Sequence, residues 1–404
     1  MIIKRSLYLP IQAHLEKPEI TLIAGPRQCG KTFLMELLID YLQKRGQKIL
    51  FLNLDIEEDK KYFSSQKALL SKIELEFGSQ KGFVFIDEIQ RKSDAGLFLK
   101  GIYDLQLPHK FVVSGSGSLE LKEKIHESLA GRKKVFDLKT ISFVEFLNFK
   151  TSYQYEDRLQ KFFAVEKESA KNYLLEYLRF GGYPKVVLNK TLSEKQDAIR
   201  EIFQSYVERD LSALLHLEKT EVVFQLLKLL SENAGNLVNM SSMANTLGIS
   251  IPTVKNYLWY LEKTFIINRV SPFTRRIGRE ISKSPVVYFV DIGLRNFVTN
   301  TFTSELSPKD LGFNFQNLIF NALQEQFSER AATIHYFRTK DGAEVDFVVE
   351  LGPKIFPIEA KFNWNKSLPR GLQAFVERYQ SEPGKIITAD NFHSLLNSNK
   401  NFAS

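Results

Sequence analysis

The 404-residue chain lacks the sequence features of several classes of protein. A single cysteine excludes a disulfide framework and a cysteine-built zinc site. The six histidines are scattered, and no two stand at the helical spacing of metal ligands, so a histidine-built metal site is not expected. No apolar run approaches the length of a membrane span, and the N-terminus lacks the apolar core and cleavage pattern of a signal peptide. We therefore expect a cytoplasmic protein without a membrane partner.

The composition is that of a folded protein with several cores. Hydrophobic residues make up 44% of the chain, and its 33 Phe and 15 Tyr argue against disorder. A chain of this length exceeds one ordinary core, so two or three domains are expected. The formal net charge of +8 permits a nucleic-acid partner without requiring one, because many basic proteins bind none.

Hydrophobic patterning divides the chain into four segments. Residues 1–150 alternate short apolar strands with helices, the pattern of an α/β fold whose parallel sheet is covered on both faces. The predicted strands are Ile20–Ala24, Lys48–Leu54, Gly82–Asp87, Lys110–Ser114 and Val135–Leu138. Residues 151–222 follow a helical pattern typical of a lid or linker. Residues 223–290 are interpreted as a small helical module, and residues 291–404 as a further α/β domain.

The segment GPRQCGKT, Gly25 to Thr32, fits the phosphate-binding pattern G-x-x-x-x-G-K-[ST] between a predicted strand and a predicted helix, Gly30–Lys44. Its glycines let backbone N–H groups point at phosphate oxygens. Lys31 is predicted to reach the terminal phosphates and Thr32 to ligate Mg²⁺, so ATP and Mg²⁺ are the expected cofactors. The alternative is a glycine-rich turn that arose by chance. The predicted cofactor-binding residues are Gly25, Pro26, Arg27, Gln28, Cys29, Gly30, Lys31, Thr32, Phe33, Asp87 and Ser114.

The segment FVFIDEIQ is an apolar strand that ends in two carboxylates. Asp87 is predicted to hold Mg²⁺, and Glu88 to act as the general base on the attacking water. Alone, the same letters would describe a buried strand that ends in a solvated acidic pair. Downstream of a phosphate-binding loop, within the same run of strands and helices, the catalytic interpretation is favoured.

Two further polar groups are candidates for the same site. The strand after Asp87 ends in SGSGS, where Ser114 or Ser116 could bond the water or the γ-phosphate, although a plain Gly/Ser turn fits equally well. Arg132 is a candidate arginine finger that would act on a neighbouring subunit's nucleotide and would thus imply a homo-oligomer.

Together these motifs resemble the prokaryotic AAA-type ATPases related to the archaeal ATPase family. The resemblance rests on GPRQCGKT, FIDEIQR, VVSGSGS and ESLAGRKKVFDLKTISFVEFL, and continues through LRFGGYP, YVERDL, KSPVVYFVDIGLR, FRTKDGAEVDFVVE and PIEAKF. It therefore covers nearly the whole chain. It implies an ATP-binding domain, a winged-helix middle and a C-terminal domain with a restriction-endonuclease-like fold.

The module at residues 223–290 has the pattern of a helix-turn-helix. Ser242 is predicted to cap its second helix and Ser250 its third. On the third helix Val254, Leu258 and Leu261 would pack inward. The outward residues that could contact DNA or RNA are Thr253, Lys255, Asn256 and Tyr260, with Arg275, Arg276, Arg279 and Lys283 on a basic wing. The alternative is a module that binds a protein partner.

The C-terminal segment contains EVDFVVELGPKIFPIEAKF, in which Asp346 on one strand precedes Glu359 and Lys361 on the next. This is the spacing of the PD-(D/E)XK nuclease core, where the carboxylates would bind Mg²⁺ and the lysine would steady the water. The family usually carries a glutamate on the preceding helix, but this chain has Gln316 there. An amide is a poorer metal ligand, so DNA binding without cleavage stays open beside cleavage.

Three functions compete. The first is a Mg²⁺-dependent ATPase that couples its nucleotide state to the winged-helix and nuclease-like parts and acts on DNA or in a nucleic-acid-linked regulatory complex. The second is a nucleotide-regulated DNA endonuclease. The third is a non-hydrolysing switch in which ATP controls a protein partner.

Overall fold

The structure of the protein, a computed structural model, describes residues 2–116, 129–206, 220–275, 284–327, 330–339, 341–364 and 367–396. The predicted wing residues Arg276, Arg279 and Lys283 lie outside these ranges. The chain folds into two units, the first formed mainly by residues up to Thr140 and the second mainly by residues from Ile141 onwards.

A parallel sheet of five strands forms the centre of the first unit. The strands are β1 Ile20–Ala24, β2 Lys48–Asn53, β3 Gly82–Asp87, β4 Lys110–Gly115 and β5 Lys133–Asp137. They coincide with the five predicted strands, although β5 begins at Lys133 rather than Val135. Their order across the sheet is β2-β3-β4-β1-β5. Because β4 lies between β1 and β3, the carboxyl ends of these three strands are neighbours.

Helices of the first unit cover both faces of this sheet. They are α1 Tyr8–His14, α2 Lys31–Gln43, α3 Glu57–Lys60, α4 Gln66–Phe77 and α5 Ala95–Asp104, with 3₁₀ turns at Lys61–Phe63 and Ile89–Arg91. Alternate residues along a strand face opposite sides. Accordingly Val84 and Ile86 pack in one apolar cluster with Leu99 of α5, while Phe85 packs in another with Leu34 of α2.

The second unit begins with helices. They are α6 Phe143–Lys150, α7 Leu159–Val165, α8 Lys167–Phe180, α9 Pro184–Leu188 and α10 Leu192–Ser205. Ser142 caps α6 through a capping box with Glu145, and Thr191 caps α10 in the same way with Glu194. These caps satisfy backbone N–H groups at the helix starts that would otherwise lack a partner.

The described residues in the middle of the chain form three helices and a pair of antiparallel strands. They are α11 Thr220–Glu232, α12 Met240–Leu247, α13 Ile251–Lys263, β6 Ile267–Val270 and β7 Val286–Phe289. Ser250 accepts the N–H of Thr253 at 3.2 Å, as predicted. The predicted cap at Ser242 is wrong, because Asn239 accepts the N–H of Ser242 at 3.0 Å and starts α12 earlier.

The last part contains α14 Ile292–Val298, α15 Pro308–Gln326 and α16 Arg370–Tyr379, with a 3₁₀ turn at Phe392–Leu395. Its sheet is formed by β8 Ala332–Arg338, β9 Glu344–Leu351, β10 Lys354–Ala360 and β11 Lys385–Ile387. The order is β11-β10-β9-β8, with β10 and β11 parallel and the other pairs antiparallel. The two predicted strands are the central pair, β9 and β10.

A half-buried histidine lies where α1 meets β1. Nδ1 of His14 is 2.8 Å from the Thr21 hydroxyl and 3.4 Å from Nζ of Lys110, which donates to the carbonyls of Lys17 and Glu19. Burial and, next, the Lys110 charge lower the pKa of His14 to about 4. Between about pH 6.5 and 4, His14 therefore stays neutral in the folded protein, whereas in the unfolded chain it binds a proton near its ordinary pKa of 6.5.

We expect His14 to weaken the fold as the pH falls from about 6.5 to about 4, because only the unfolded chain binds the proton there. His14→Gln keeps a polar partner for Thr21 and removes the titration. The melting temperature of the variant should fall less than that of the wild type over this range. Equal losses in the two proteins would contradict the assignment.

Candidate nucleotide-binding site

The loop Gly25–Gly30 turns sharply between β1 and α2. Gly30 adopts a left-handed φ of 98° and Gln28 one of 57°. A Cβ on Gly25 would lie 2.1 Å from the carbonyl oxygen of Leu138, so only glycine fits at that approach. Cys29 is fully buried beneath the loop. The loop backbone is thus forced to curl in front of the α2 N-terminus, where N–H groups favour an anion.

Two side chains at the start of α2 have buried or half-buried polar groups. Nζ of Lys31 donates to the carbonyls of Gly25 at 3.0 Å and Pro26 at 2.7 Å. The hydroxyl of Thr32 donates to Oδ2 of Asp87 at 2.7 Å. Lys31 therefore lies directly over the loop, and a phosphate oxygen is a stronger acceptor for its ammonium group than either carbonyl.

Asp87, at the end of β3, is 1% exposed. Its Oδ1 accepts a hydrogen bond from the Ser114 hydroxyl and another, at 3.0 Å, from the N–H of Glu88. Its Oδ2 accepts the hydrogen bond from Thr32. The structure therefore brings together three predicted site residues from three different elements.

Glu88 follows Asp87 in a left-handed conformation with φ 56° and ψ 40°. This conformation is uncommon for a residue other than glycine and is concentrated at functional sites. Its N–H lies 3.3 Å from the Ser114 hydroxyl. Burial raises the pKa of the Glu88 carboxyl, and the nearby charge of Lys31 opposes that rise. A carboxylate with a raised pKa is a better proton acceptor near neutral pH.

Mg²⁺ fits the pair formed by Thr32 and Asp87. A hydroxyl and one carboxylate suit an ion that takes oxygen ligands and keeps several waters and phosphate oxygens. In the part of the chain that the structure describes, no group of three or more His, Cys, Asp or Glu could hold a metal by itself. The chemistry of this donor set therefore suits a metal that arrives with a nucleotide rather than a resident one.

Sequence reasoning missed two residues that adjoin the site. The Gln90 side chain donates to the Glu88 carboxylate and accepts the N–H of Ser116 at 3.1 Å. Arg5 donates to the carbonyls of Cys29 at 2.8 Å and Lys139 at 2.6 Å, and so supports the loop from below. No sequence pattern predicts the contact of Arg5 with the loop, because Arg5 lies 24 positions before Cys29 in the sequence. The position of Gln90, two residues after Glu88, could have marked it as a neighbour of the site.

The other predicted residues of this unit lie in more ordinary positions. Arg27 is half-buried and Phe33 is exposed. Arg132 forms an ion pair with Asp104 at 2.8 Å. It immediately precedes β5, whose first residue Lys133 pairs with Ile20 at the amino end of β1, whereas the phosphate-binding loop follows the carboxyl end. Arg132 therefore faces away from its own loop, and an action on another subunit stays a prediction.

The predicted nucleic-acid residues that the structure describes are exposed or half-buried in the second unit. Lys255 and Asn256 are exposed on α13, while Thr253 is half-buried and its hydroxyl lies 2.8 Å from that of Ser250. The inward residues predicted for this helix, Val254, Leu258 and Leu261, are fully buried. Arg275 is exposed, and its guanidinium lies 5.6 Å from the centre of the Tyr379 ring.

The predicted acidic site on β9 and β10 is a close cluster. Nζ of Lys361 is 3.3 Å from Oδ2 of Asp346 and 3.7 Å from Oε2 of Glu359. Burial and the neighbouring Asp346 raise the pKa of Glu359 to about 9. Gln316 on α15 points its amide oxygen at Gly235, where a Cβ would lie 2.4 Å away. Gly235 therefore makes room for Gln316 in the turn between α11 and α12.

The strand order, the loop and the carboxylates at the end of β3 define a parallel-sheet α/β domain with the P-loop nucleotide-binding fold. Residues 17–147 match the family model described as the AAA domain. Residues 171–305 and 311–402 match two families described as domains of unknown function. Among the described residues, no helix is both long and apolar enough to cross a membrane.

Two relatives that align with most of this chain are described as uncharacterized proteins. The chain is 26% identical to an uncharacterized protein of Haemophilus influenzae over 354 residues, which cover 85% of this chain and 82% of that protein. It is 26% identical to an uncharacterized protein of Methanocaldococcus jannaschii over 344 residues, 84% of this chain and 74% of that one. A solved structure of AMPPCP-bound DnaA from Aquifex aeolicus aligns with a TM-score of 0.31 and 13% identity, over 66% of this chain and 90% of that one. Likeness at that level assigns no function.

We expect Gly25→Ala to lower the affinity for ATP at least about tenfold, about 1.4 kcal/mol, because the added methyl would push the loop away from Leu138. Isothermal titration of ATP into the variant measures this loss. The matched control is Gly312→Ala, where no atom lies within 4 Å of the new Cβ and a helix former replaces glycine. Unchanged ATP affinity in Gly25→Ala would show that the loop is not the binding element.

Proposed function

We propose that this protein is a Mg²⁺-dependent ATPase. The observation that carries the proposal is the cluster at the carboxyl ends of β1, β3 and β4. There Asp87 accepts hydrogen bonds from both Thr32 and Ser114, and Glu88 follows it in a strained conformation. A domain that only held a nucleotide would need the loop but not a second carboxylate beside the first.

Each residue then has a role that its position supports. The loop N–H groups and Lys31 would bind the phosphates, and Thr32 with Asp87 would hold the metal ion. Bound Mg²⁺ supplies neutralisation of the charge that develops on the transferred phosphoryl group. Glu88 would accept the proton of the attacking water, and Ser114 would keep Asp87 and the backbone of Glu88 in place.

The second unit would be the part that the nucleotide state controls. Lys255, Asn256 and Arg275 of this unit are exposed and belong to the residue types that contact phosphates or base edges. Their exposure favours a nucleic-acid partner for a winged-helix module. Control of a protein partner through the same module is the competing role. Stimulation of ATP hydrolysis by DNA would favour the nucleic-acid role.

A second candidate function is DNA cleavage by the C-terminal domain. It is favoured by the Asp346–Glu359–Lys361 cluster. The carboxylates of Asp346 on β9 and Glu359 on β10 lie next to the ammonium group of Lys361. A divalent cation would relieve the repulsion between these carboxylates and could activate a water. The amide of Gln316, which lies against Gly235, adds no charge to such a site.

We expect Glu88→Gln to keep the ATP affinity and to lower the rate of hydrolysis about 10²- to 10⁴-fold. The amide has nearly the shape of the carboxylate but cannot accept the proton. Phosphate release under saturating ATP and Mg²⁺, beside titration with ATP, measures both properties. Hydrolysis at the wild-type rate would mean that Glu88 is not the base.

For the second candidate, we expect DNA cleavage with Mg²⁺ or Mn²⁺ that is lost in Asp346→Ala and unchanged in Glu88→Gln. A gel assay on linear and supercoiled DNA, with and without ATP, tests it. Because the two variants affect different units, they separate cleavage from hydrolysis. The absence of cutting by the wild type under every metal and nucleotide condition would rule out this candidate.

A further inference from the structure

Gln90 joins the ends of two neighbouring strands. It lies in the 3₁₀ turn Ile89–Arg91 that follows β3 and is 9% exposed. Its Nε2 donates to Oε2 of Glu88, and its Oε1 accepts the N–H of Ser116, which follows β4, at 3.1 Å. One buried side chain thus bonds both to the proposed base and to the backbone of the residue that follows β4.

The backbone around Glu88 is held separately from its side chain. The N–H of Glu88 contacts Oδ1 of Asp87 and the Ser114 hydroxyl, and its carbonyl accepts the N–H of Arg91 at 3.0 Å. These bonds fix where the side chain of Glu88 begins, but they do not fix the direction of its carboxylate. The hydrogen bond that Gln90 donates to Oε2 of this carboxylate sets its direction.

The chemistry of an amide suits this task. A Lys or Arg would place a full positive charge on the base and weaken it as a proton acceptor. A Glu at this position would repel the Glu88 carboxylate. An Asn side chain is one methylene shorter than that of Gln and would not reach both partners. One N–H of the Gln90 amide binds Oε2 of Glu88, which leaves Oε1 as the oxygen that would take a proton from water.

We infer that Gln90 is a positioning residue for the proposed hydrolysis, which aims the Glu88 carboxylate and ties its direction to the backbone of Ser116, the residue after β4. The inference rests on the proposed function. It adds that a shift of Ser116 moves the base, so the rate of hydrolysis depends on where Ser116 lies. The competing interpretation is that Gln90 only joins β3 to β4 and supports the fold.

A double-mutant cycle separates these interpretations. Gln90→Met keeps the length and volume of the side chain and removes both hydrogen bonds. In the wild-type background we expect kcat to fall at least about tenfold, with the KM and the dissociation constant for ATP unchanged. In the Glu88→Gln background, where no base remains to be aimed, the same change should alter residual single-turnover hydrolysis less than about twofold.

The matched control is Gln66→Met, which removes a half-buried amide that bonds the carbonyl of Phe98 in the same unit. It should leave kcat unchanged, whereas Gln90→Glu should lower kcat as Gln90→Met does. The inference is overturned if Gln90→Met leaves kcat at the wild-type value, or if it lowers hydrolysis equally in both backgrounds, as a structural residue would. If the wild type shows no hydrolysis that depends on Glu88, the proposed function itself fails, and with it the role of Gln90.

Discussion

The hydrogen bond between Thr32 and Asp87 is the contact on which the nucleotide site depends. It joins the first turn of α2 to the end of β3, two elements separated by 55 positions in the sequence. The contact exists because β4 lies between β1 and β3, so the three strand ends form one edge. Parallel strands present their carboxyl ends on the same side, and ligands bind there in open α/β sheets. Lys31, Ser114 and Glu88 are placed by the same arrangement.

Burial sets the electrostatic character of both acidic clusters. In the first unit, burial raises the pKa of Glu88, while the neighbouring charge of Lys31 opposes that rise. In the second unit, Glu359 lies beside Asp346, and burial with that neighbour raises its pKa much further. The first arrangement suits a residue that accepts a proton during turnover. The second suits either a cation site or a protonated, structural carboxyl.

Local pattern was enough to predict the parallel sheet and the positions of its strands. Short apolar runs mark β1, β3 and β4 clearly, because their residues are buried on both faces. The motif GPRQCGKT and the pair Asp87–Glu88 predicted which side chains would meet, since each follows a strand. In the second unit the apolar spacing of α13 likewise predicted that Val254, Leu258 and Leu261 are buried.

Features that depend on distant contacts could not be predicted from the sequence. Arg5 supports the loop through backbone carbonyls, which carry no residue-specific signal. The Asn239 cap displaced the expected one at Ser242, because both residues are good caps and only the course of the chain before α12 decides between them. The sequence marks Gln316 only as a departure from a family pattern. Its contact with Gly235 is visible only in the folded structure.

The most direct measurement is the rate of phosphate release from ATP by the full chain, with Mg²⁺ or with excess EDTA, in the presence and absence of DNA. We expect release that requires Mg²⁺ and that DNA increases. ATP binding without phosphate release under any of these conditions would contradict the central claim and would leave a nucleotide-controlled binding switch in its place.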